Sequence, residues 1–333
     1  MRAIALLARV LLCALAAGGS TVVLLGQLGR ERFMLDQLNS GLSLLVPGLA
    51  VVAALALRGR DRVTAAVAGL GILVGGYQLG SVSQAPVEQA EGAGPTIKLL
   101  TLSTYHSNPT PDAIRRVVMA EAPDIALLQE TNRETRLVVE SLLPGFHRAK
   151  SCPWRHCSLT VLSRWPLARM TLDYGRERSF PDLLATEVAA PFGAFRVINV
   201  HMPRPSDVRS RTFIGDLAKV SRTTQDRPLI VAGDFNTATG SFGLERFARD
   251  SGLRRLEGFV PTYPANRPAP AFIGIDHVFA DARWRSLGCH RTDAGGSDHY
   301  GIACTLALQA RSSAREGSNP GAAPANQSGA AGR

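Results

Sequence analysis

The chain has 333 residues, with 37 Lys and Arg against 27 Asp and Glu, for a formal net charge of +10. That length admits one large domain or two ordinary ones. There is no internal repeat, no P-loop and no Gly-Xaa-Ser-Xaa-Gly nucleophile elbow, so nothing points to those two routes to nucleotide or ester hydrolysis. The surplus positive charge is spread along the chain and favours anionic partners: nucleic acid, phospholipid head groups or small phosphates.

Three apolar stretches occupy the amino-terminal part, about Val10 to Leu28, Leu42 to Leu57 and Val63 to Leu79, each near the length that crosses a bilayer as a helix. A cleaved signal peptide would account for the first but not for the other two, so a three-helix membrane anchor over residues 1–80 is expected. The short second span, which holds Pro47, is its weakest point. Lys and Arg are enriched in short cytoplasmic loops. The second connection carries Arg58, Arg60 and Arg62 against Asp61, and Arg2 and Arg9 precede or enter the first span. The first connection balances Arg30 and Arg32 with Glu31 and Asp36. The amino terminus and second connection are therefore expected inside a multi-pass cytoplasmic-membrane protein, with everything after Gly80 extracytoplasmic.

Residues 81–95 are rich in Gly, Ala, Gln and Glu and read as a flexible tether. At Ile97 the pattern changes. Ile97 to Leu102 reads as a strand, Asp112 to Ala122 as an amphipathic helix, and Asp124 to Leu128 as a buried strand that ends in Gln129 and Glu130. Glu130 can be a ligand at the strand end or a first-turn carboxylate for a helix over Thr131 to Leu142.

Leu159 to Ser163, Asp182 to Val188 and Phe195 to Val200 read as strands, the last running into His201. Pro205 to Arg222 can be a helix. Leu229 to Asn236 (Leu-Ile-Val-Ala-Gly-Asp-Phe-Asn) is a buried strand that delivers Asp234 and Asn236, two apart, to a sheet edge. The pair suits an ion or a phosphate, or the cap of a following helix or turn. A loop follows with Thr262 and Tyr263.

Ile273 to Ala280 places Asp276 and His277 in a short apolar segment, where a carboxylate is costly unless paired or bound to a cation. Gly295, Gly296, Ser297, Asp298 and His299 precede a terminal strand, Tyr300 to Leu308. A glycine-rich approach lets the backbone come close to a ligand, although a simple turn reads equally well. Beyond 308 the composition is that of a disordered tail.

Cys13 falls in the first apolar stretch. Cys152 and Cys157 flank Pro-Trp-Arg-His, a spacing that suits a local disulfide in an oxidising compartment, and Cys289 and Cys304 could form a second. Free thiols are the alternative. Zinc at Cys152, Cys157 and His156 lacks a complete ligand set.

The ordered set Leu-Leu-Gln-Glu130, Asn-Val-His201, Gly-Asp234-Phe-Asn236, Ile-Asp276-His and Ser-Asp298-His299 resembles the endonuclease/exonuclease/phosphatase superfamily, which includes the DNase I-like nucleases. The resemblance covers about Ile97 to Leu308. It implies a four-layer α/β sandwich, two mixed β-sheets face to face with helices outside, and a site at one end. It also implies that Glu130 and Asp298 bind Mg²⁺ or Mn²⁺, that His299 is the base for an attacking water, and that Asp276 orients its ring. Asp234 would then position that water or assist proton transfer, Asn236 would donate to a phosphate oxygen, and His201 would stabilise the transition-state charge.

Where this family usually has an asparagine at the end of its first strand, the chain has Ser103, whose hydroxyl can hold a metal-bound water. Asn108 is a loop substitute for it and His106 a bystander. Arg133, Arg204 and Arg209 are near the motifs in sequence, and Tyr263 either walls the substrate cleft or packs. The implied function is hydrolysis of a phosphoester. Net charge favours a nuclease, and the anchor favours a lipid or sugar-phosphate phosphodiesterase. A catalytically impaired binder of an anionic ligand is the alternative of another class, and no protein partner is indicated.

Overall fold

The computed structural model describes residues 2–83, 93–131, 133–151, 159–171, 183–205, 207 and 209–309. Cys152, Cys157, His156, most of the tether and the tail lie outside these residues.

The amino-terminal part contains helix α1 (Arg2–Gln27), the one-turn helix α2 (Phe33–Asp36), α3 (Leu42–Arg58) and α4 (Arg62–Ser83). Three segments are long and apolar enough to cross a membrane: Ala3–Arg30, Phe33–Arg58 and Arg62–Val82. Helix α3 continues through Pro47, where packing on its neighbours offsets the missing backbone donor. The helices meet through Ala16, Val23, Leu42, Leu49, Val52 and Ala68. Outward they present Ile4, Leu7, Val63 and Leu73, each at least 72% exposed, a surface suited to hydrocarbon rather than water.

The remaining chain begins with β1 (Ala93–Ser103), α5 (Asp112–Glu121), β2 (Ile125–Gln129), α6 (Arg133–Leu142), β3 (His147–Ser151), β4 (Leu159–Ser163) and β5 (Leu167–Arg169). It continues through β6 (Leu183–Ala190), β7 (Gly193–His201), α7 (Ser210–Thr223), β8 (Leu229–Asp234), α8 (Phe242–Ser251) and β9 (Arg254–Arg255). The last strands are β10 (Asp276–Ala280), β11 (Trp284–Arg291) and β12 (Ile302–Gln309).

The strands form two six-stranded sheets, ordered β11-β12-β1-β2-β4-β3 and β5-β6-β7-β8-β10-β9. Each sheet is mixed, with one parallel pair: β1 with β2 in the first and β7 with β8 in the second. A parallel pair needs a crossover, which α5 and α7 supply from the outer faces. Leu100, Leu102, Ile114, Val118 and Leu128 seal the first sheet to its helices, and Ile198, Val200, Phe213, Leu217 and Phe247 seal the second. Between the sheets lies a third core with Leu99, Leu127, Val197, Ile230, Val278 and Trp284. The result is the expected four-layer α/β sandwich.

Several elements carry no strong sequence pattern. β3 (His-Arg-Ala-Lys-Ser) is an edge strand whose polar side chains stay partly exposed, so it lacks an apolar run. β11 is the opposite edge, irregular between Ser286 and Gly288. Helix α7 starts at Ser210 rather than Pro205; before it, Asp207 Oδ1 accepts from Arg209 N at 2.9 Å, a side-chain turn in place of helix. A disulfide joins Cys289 to Cys304 across β11 and β12, and Cys13 is free.

Candidate active site

Strand alternation determines which residues reach the site. Ile97 and Leu99, Ile125 and Leu127, Phe195 and Val197, Ile230 and Ala232, and Val278 all face the core between the sheets. Continuing by twos puts Ser103, Gln129, His201, Asp234 and Asp276 on those same inner faces, at the carboxyl ends of the two parallel pairs and the start of β10. His201 is in register with Asp234, and Asp234 with Asp276, so three neighbouring strands present polar groups at one level. That end of a mixed sheet is where ligands commonly bind.

The apolar core ends in a polar floor. Gln129 Nε2 donates to Asn199 Oδ1 (2.7 Å) across the sheets, and Asn199 Nδ2 donates to the Leu128 and Thr160 carbonyls (3.0 Å each). Both amides are fully buried.

Above this floor, His299 Nδ1 faces Asp276 Oδ2 at 2.9 Å, and His299 Nε2 is 3.9 Å from Asp234 Oδ2. The Tyr263 ring leans on the His299 ring with centroids 5.1 Å apart. Burial works to lower His299, but the charges of Asp276 and Asp234, the Asp276 hydrogen bond and Asp298 push it up to about 10. Burial raises Asp234 to about 6, against the opposing pull of His299. A ring clamped by one carboxylate and open to another can carry a proton between a bound water and the protein.

Opposite lies Glu130. Its Oε2 accepts from the His106 backbone N–H (2.9 Å) and meets His106 Nδ1 at 3.0 Å, and its Oε1 is 3.6 Å from His201 Nε2. Burial raises this carboxyl, but the two His106 bonds and the charge of His201 outweigh it and hold Glu130 below its usual value. His201 Nε2 also lies 3.8 Å from Asp234 Oδ2. Asp298 is raised, first by burial and then, against His299, by the negative charge of Glu130 and Asp276.

Backbone geometry sharpens these positions. Tyr105 (φ 59), Glu130 (φ 53) and Asn236 (φ 46) are non-glycine residues in the left-handed region, and all three border the site. Such strain collects where the surroundings fix a side chain for use. At Gly233 (φ 148) any Cβ would collide with the Val200 carbonyl, so only glycine lets β8 lie this close to β7.

The capping alternative is met in part: Ser241, not Asp234 or Asn236, is the N-cap of α8, but Asp234 Oδ1 accepts from Asn236 N at 2.7 Å and so caps the turn that follows β8. Asn236 Nδ2 donates to Met202 O (2.9 Å) and to Asp234 Oδ2 (3.3 Å). Glu130 accepts from His106, so His106 is no bystander. Asn108 is committed to Thr104 O and Gly295 O and ties two site loops together.

Sequence reasoning also missed the support under Asp276. His277 projects to the other face of β10, where Nδ1 meets Glu257 Oε1 (2.8 Å) and Nε2 meets Thr237 O (2.9 Å), all but closed to solvent. Only a distant Glu in an irregular segment could have signalled it.

A cleft of about 510 Å³ opens on this end, lined by Glu130, His201, Met202, Pro203, Arg204 and Arg209 among others. Arg204 and Arg209, near the motifs in sequence, both line it.

A divalent cation fits the donor set. Asp298 is raised first by burial and then, against His299, by the charge of Glu130, a repulsion that a cation relieves. Ser103 Oγ is fully buried on the inner face with no hydrogen-bond partner among the described residues. Asp234, Asp276 and His299 also offer ligand atoms within 4.8 Å of one another. Hard cations such as Mg²⁺ prefer oxygen donors, and in this trio the ring and Asp276 already bond each other.

Residues 100–299 match the Endonuclease/Exonuclease/phosphatase family. No curated protein matches the chain. Among solved structures, the chain is similar in fold to the endonuclease/exonuclease/phosphatase from Bacteroides vulgatus, at 16% identity and a TM-score of 0.54, over 64% of this chain and 99% of that one. The family protein from Bacteroides thetaiotaomicron gives 14% and 0.51, over 64% and 98%. Truncated TDP2 of Caenorhabditis elegans gives 12% and 0.51, over 66% and 100%.

Proposed function

The chain belongs to the endonuclease/exonuclease/phosphatase family, and from that premise we propose that it is a membrane-anchored, divalent-metal-dependent phosphoester hydrolase in which an activated water attacks phosphorus. The observation that carries this is the buried His299–Asp276 pair, at 2.9 Å, with Asp234 and His201 at the same sheet ends.

In this reading Glu130 and Asp298 would hold Mg²⁺ or Mn²⁺, and the unpartnered Ser103 hydroxyl would support that site. When bound, the ion neutralises charge on the phosphate and offsets the carboxylates around His299. The ring nitrogen Nε2 of His299 accepts the proton of the attacking water as its oxygen bonds to phosphorus and the opposite ester P–O bond breaks, the leaving oxygen taking a proton from solvent, while Asp276 fixes the tautomer through Nδ1 and stabilises the imidazolium. Asp234 receives the water's second hydrogen bond and sets its line of approach. Asn236 turns the Nδ2 proton that meets Asp234 at 3.3 Å toward a phosphate oxygen and keeps its bond to Met202. His201, flanked by Glu130 and Asp234, donates to the charge that builds on phosphorus oxygens in the transition state. Tyr263 walls the cleft beside His299.

Residues 1–80 form the anchor and 96–308 the catalytic unit, placed outside the cytoplasmic membrane. The arginine distribution and the Cys289–Cys304 disulfide, a bond suited to an oxidising compartment, support that placement.

The test is hydrolysis of bis-p-nitrophenyl phosphate by the full chain in detergent with Mg²⁺ or Mn²⁺, beside His299→Ala. Loss of the base is expected to cost roughly 10² to 10⁴ in rate. Equal activity in the two proteins would overturn the assignment.

A further inference from the structure

We propose that this site acts on a phosphoester carried by a lipid of the same bilayer, presented to the cleft because the anchor is docked against the cleft's own wall. The inference rests on the phosphoesterase reading above and names its substrate class.

A catalytic unit on a free tether would sample the solution. Here the connection between the first two apolar segments is locked into it. Asp36 is 4% exposed, and its carboxylate accepts from Ser241 Oγ (2.6 Å), Phe242 N (2.9 Å) and Gly243 N (2.8 Å), so a residue of the anchor caps α8. A buried carboxylate is costly without such partners, and the amino end of a helix favours it. Asn39 holds Asp36 from behind, through Asp36 Oδ1 (2.9 Å) and Gly26 O (3.1 Å). From α4, Gln78 Nε2 donates to Gly240 O at 2.6 Å, and Arg246 returns bonds to the Gly29 and Arg30 carbonyls. The membrane-proximal ends of all three long segments thus touch the catalytic unit.

The contact extends to the active site. Met202 and Pro203 line the cleft on one side and the seam with the anchor on the other. Gln37 Nε2 donates to Pro205 O at 2.9 Å, and Phe33 and Asp36 of the anchor line the same seam as Met202, Pro203 and Pro205. The strap 202–205 is therefore packed on the anchor, while Asn236 grips it from the catalytic side through Met202 O. His201 is the residue before the strap, so the reacting centre is separated from the helix ends by one strand of chain.

A lipid in the same leaflet meets such a cleft at high effective concentration. Arg32 and Arg204 are exposed near the seam and suit an anionic head group. A free nucleic acid, the substrate to which net charge alone points, is not concentrated at the cleft by the anchor in this way.

The test reconstitutes the full chain with Mn²⁺ into vesicles of phosphatidylcholine and phosphatidylglycerol with labelled head groups. The labelled lipid is placed either in the protein's own vesicles or in protein-free ones added to them. Bis-p-nitrophenyl phosphate and single-stranded DNA are run beside it. Release from the protein's own vesicles is expected to exceed release from added ones on the order of tenfold or more, with the DNA uncut. Undocking by Asp36→Ala with Gln78→Ala is expected to remove that advantage and leave turnover of bis-p-nitrophenyl phosphate in place. Equal release from both vesicle sets, or cleavage of the soluble substrates without head-group release, would overturn the inference and leave the phosphoesterase reading standing. Silence on every substrate would overturn both.

Discussion

Asp276→Asn isolates the charge of one carboxylate while keeping its size. Asp276 is 1% exposed, its Oδ2 is bonded to His299 Nδ1 at 2.9 Å, and its Oδ1 has no hydrogen-bond partner among the described residues. The rise of His299 from 6.5 to about 10 corresponds to about 5 kcal/mol in favour of the charged ring, gained against burial, and Asp276 makes the largest contribution to it. With the charge removed the ring titrates lower, against the remaining pull of Asp234 and Asp298, and its tautomer is no longer fixed. The expected cost in kcat is roughly 10² to 10⁴, since orientation and imidazolium stabilisation are lost together. The assay is kcat against pH on bis-p-nitrophenyl phosphate, paired with NMR titration of the ring in the metal-free protein. Wild-type kcat in the variant, or a ring still titrating near 10, would refute the reasoning. The same ring sets a stability window. Its folded value lies above its unfolded 6.5, so its contribution is complete below pH 6.5 and is lost as pH rises to about 10. Thermal unfolding of the metal-free protein should show that fall, and Asp276→Asn should flatten it.

Three further outcomes follow from the geometry. Glu130→Gln is expected to weaken Mn²⁺ binding by at least the roughly 10- to 100-fold typical of outer metal partners, read by calorimetry on the folded chain; an unchanged Kd would move the ion to Asp234, Asp276 and His299. Ser103→Ala should leave unfolding stability within about 1 kcal/mol of wild type, because its hydroxyl has no partner to lose, yet lower Mn²⁺ affinity; a large stability loss would show a structural bond at Oγ. Replacing both Cys289 and Cys304 with Ser opens a loop of 15 residues and should cost about 3 kcal/mol in denaturant unfolding, with the unreduced wild type as reference.

Asp234, His201 and Asp276 were legible as polar groups at or beside apolar runs of strand length, and the resemblance, not periodicity, joined them into one site; the alternation that sets Asp234 on the face of Ile230 and Ala232, and His201 on that of Val197, is seen in the structure. Apolar runs likewise marked the central strands. Edge strands such as β3 and β11 carry polar residues and were invisible to that reading. What alternation could not supply was which strand ends meet. His106 and Glu130, 24 residues apart, join because a left-handed residue at each turn brings the loop after β1 onto the end of β2. Glu257 and His277 meet across an irregular segment with no periodicity to read.

Asp36 shows how far such a contact can reach. In the sequence it is one of four charges separating two apolar stretches, and it weighs only in the loop's balance. Its bonds to Ser241, Phe242 and Gly243 require residue 36 and the catalytic unit to share one side of the membrane. Between them lie α3 and α4, so both cross or neither does. Both α3 and α4 are long and apolar enough to cross, and α3 stays helical through Pro47. The proposed orientation is untouched by the burial of Asp36, because the rule counts Lys and Arg rather than net charge. In that proposal Arg2, Arg9, Arg58, Arg60 and Arg62 lie on one side, and Arg30 and Arg32 lie on the other with the active site.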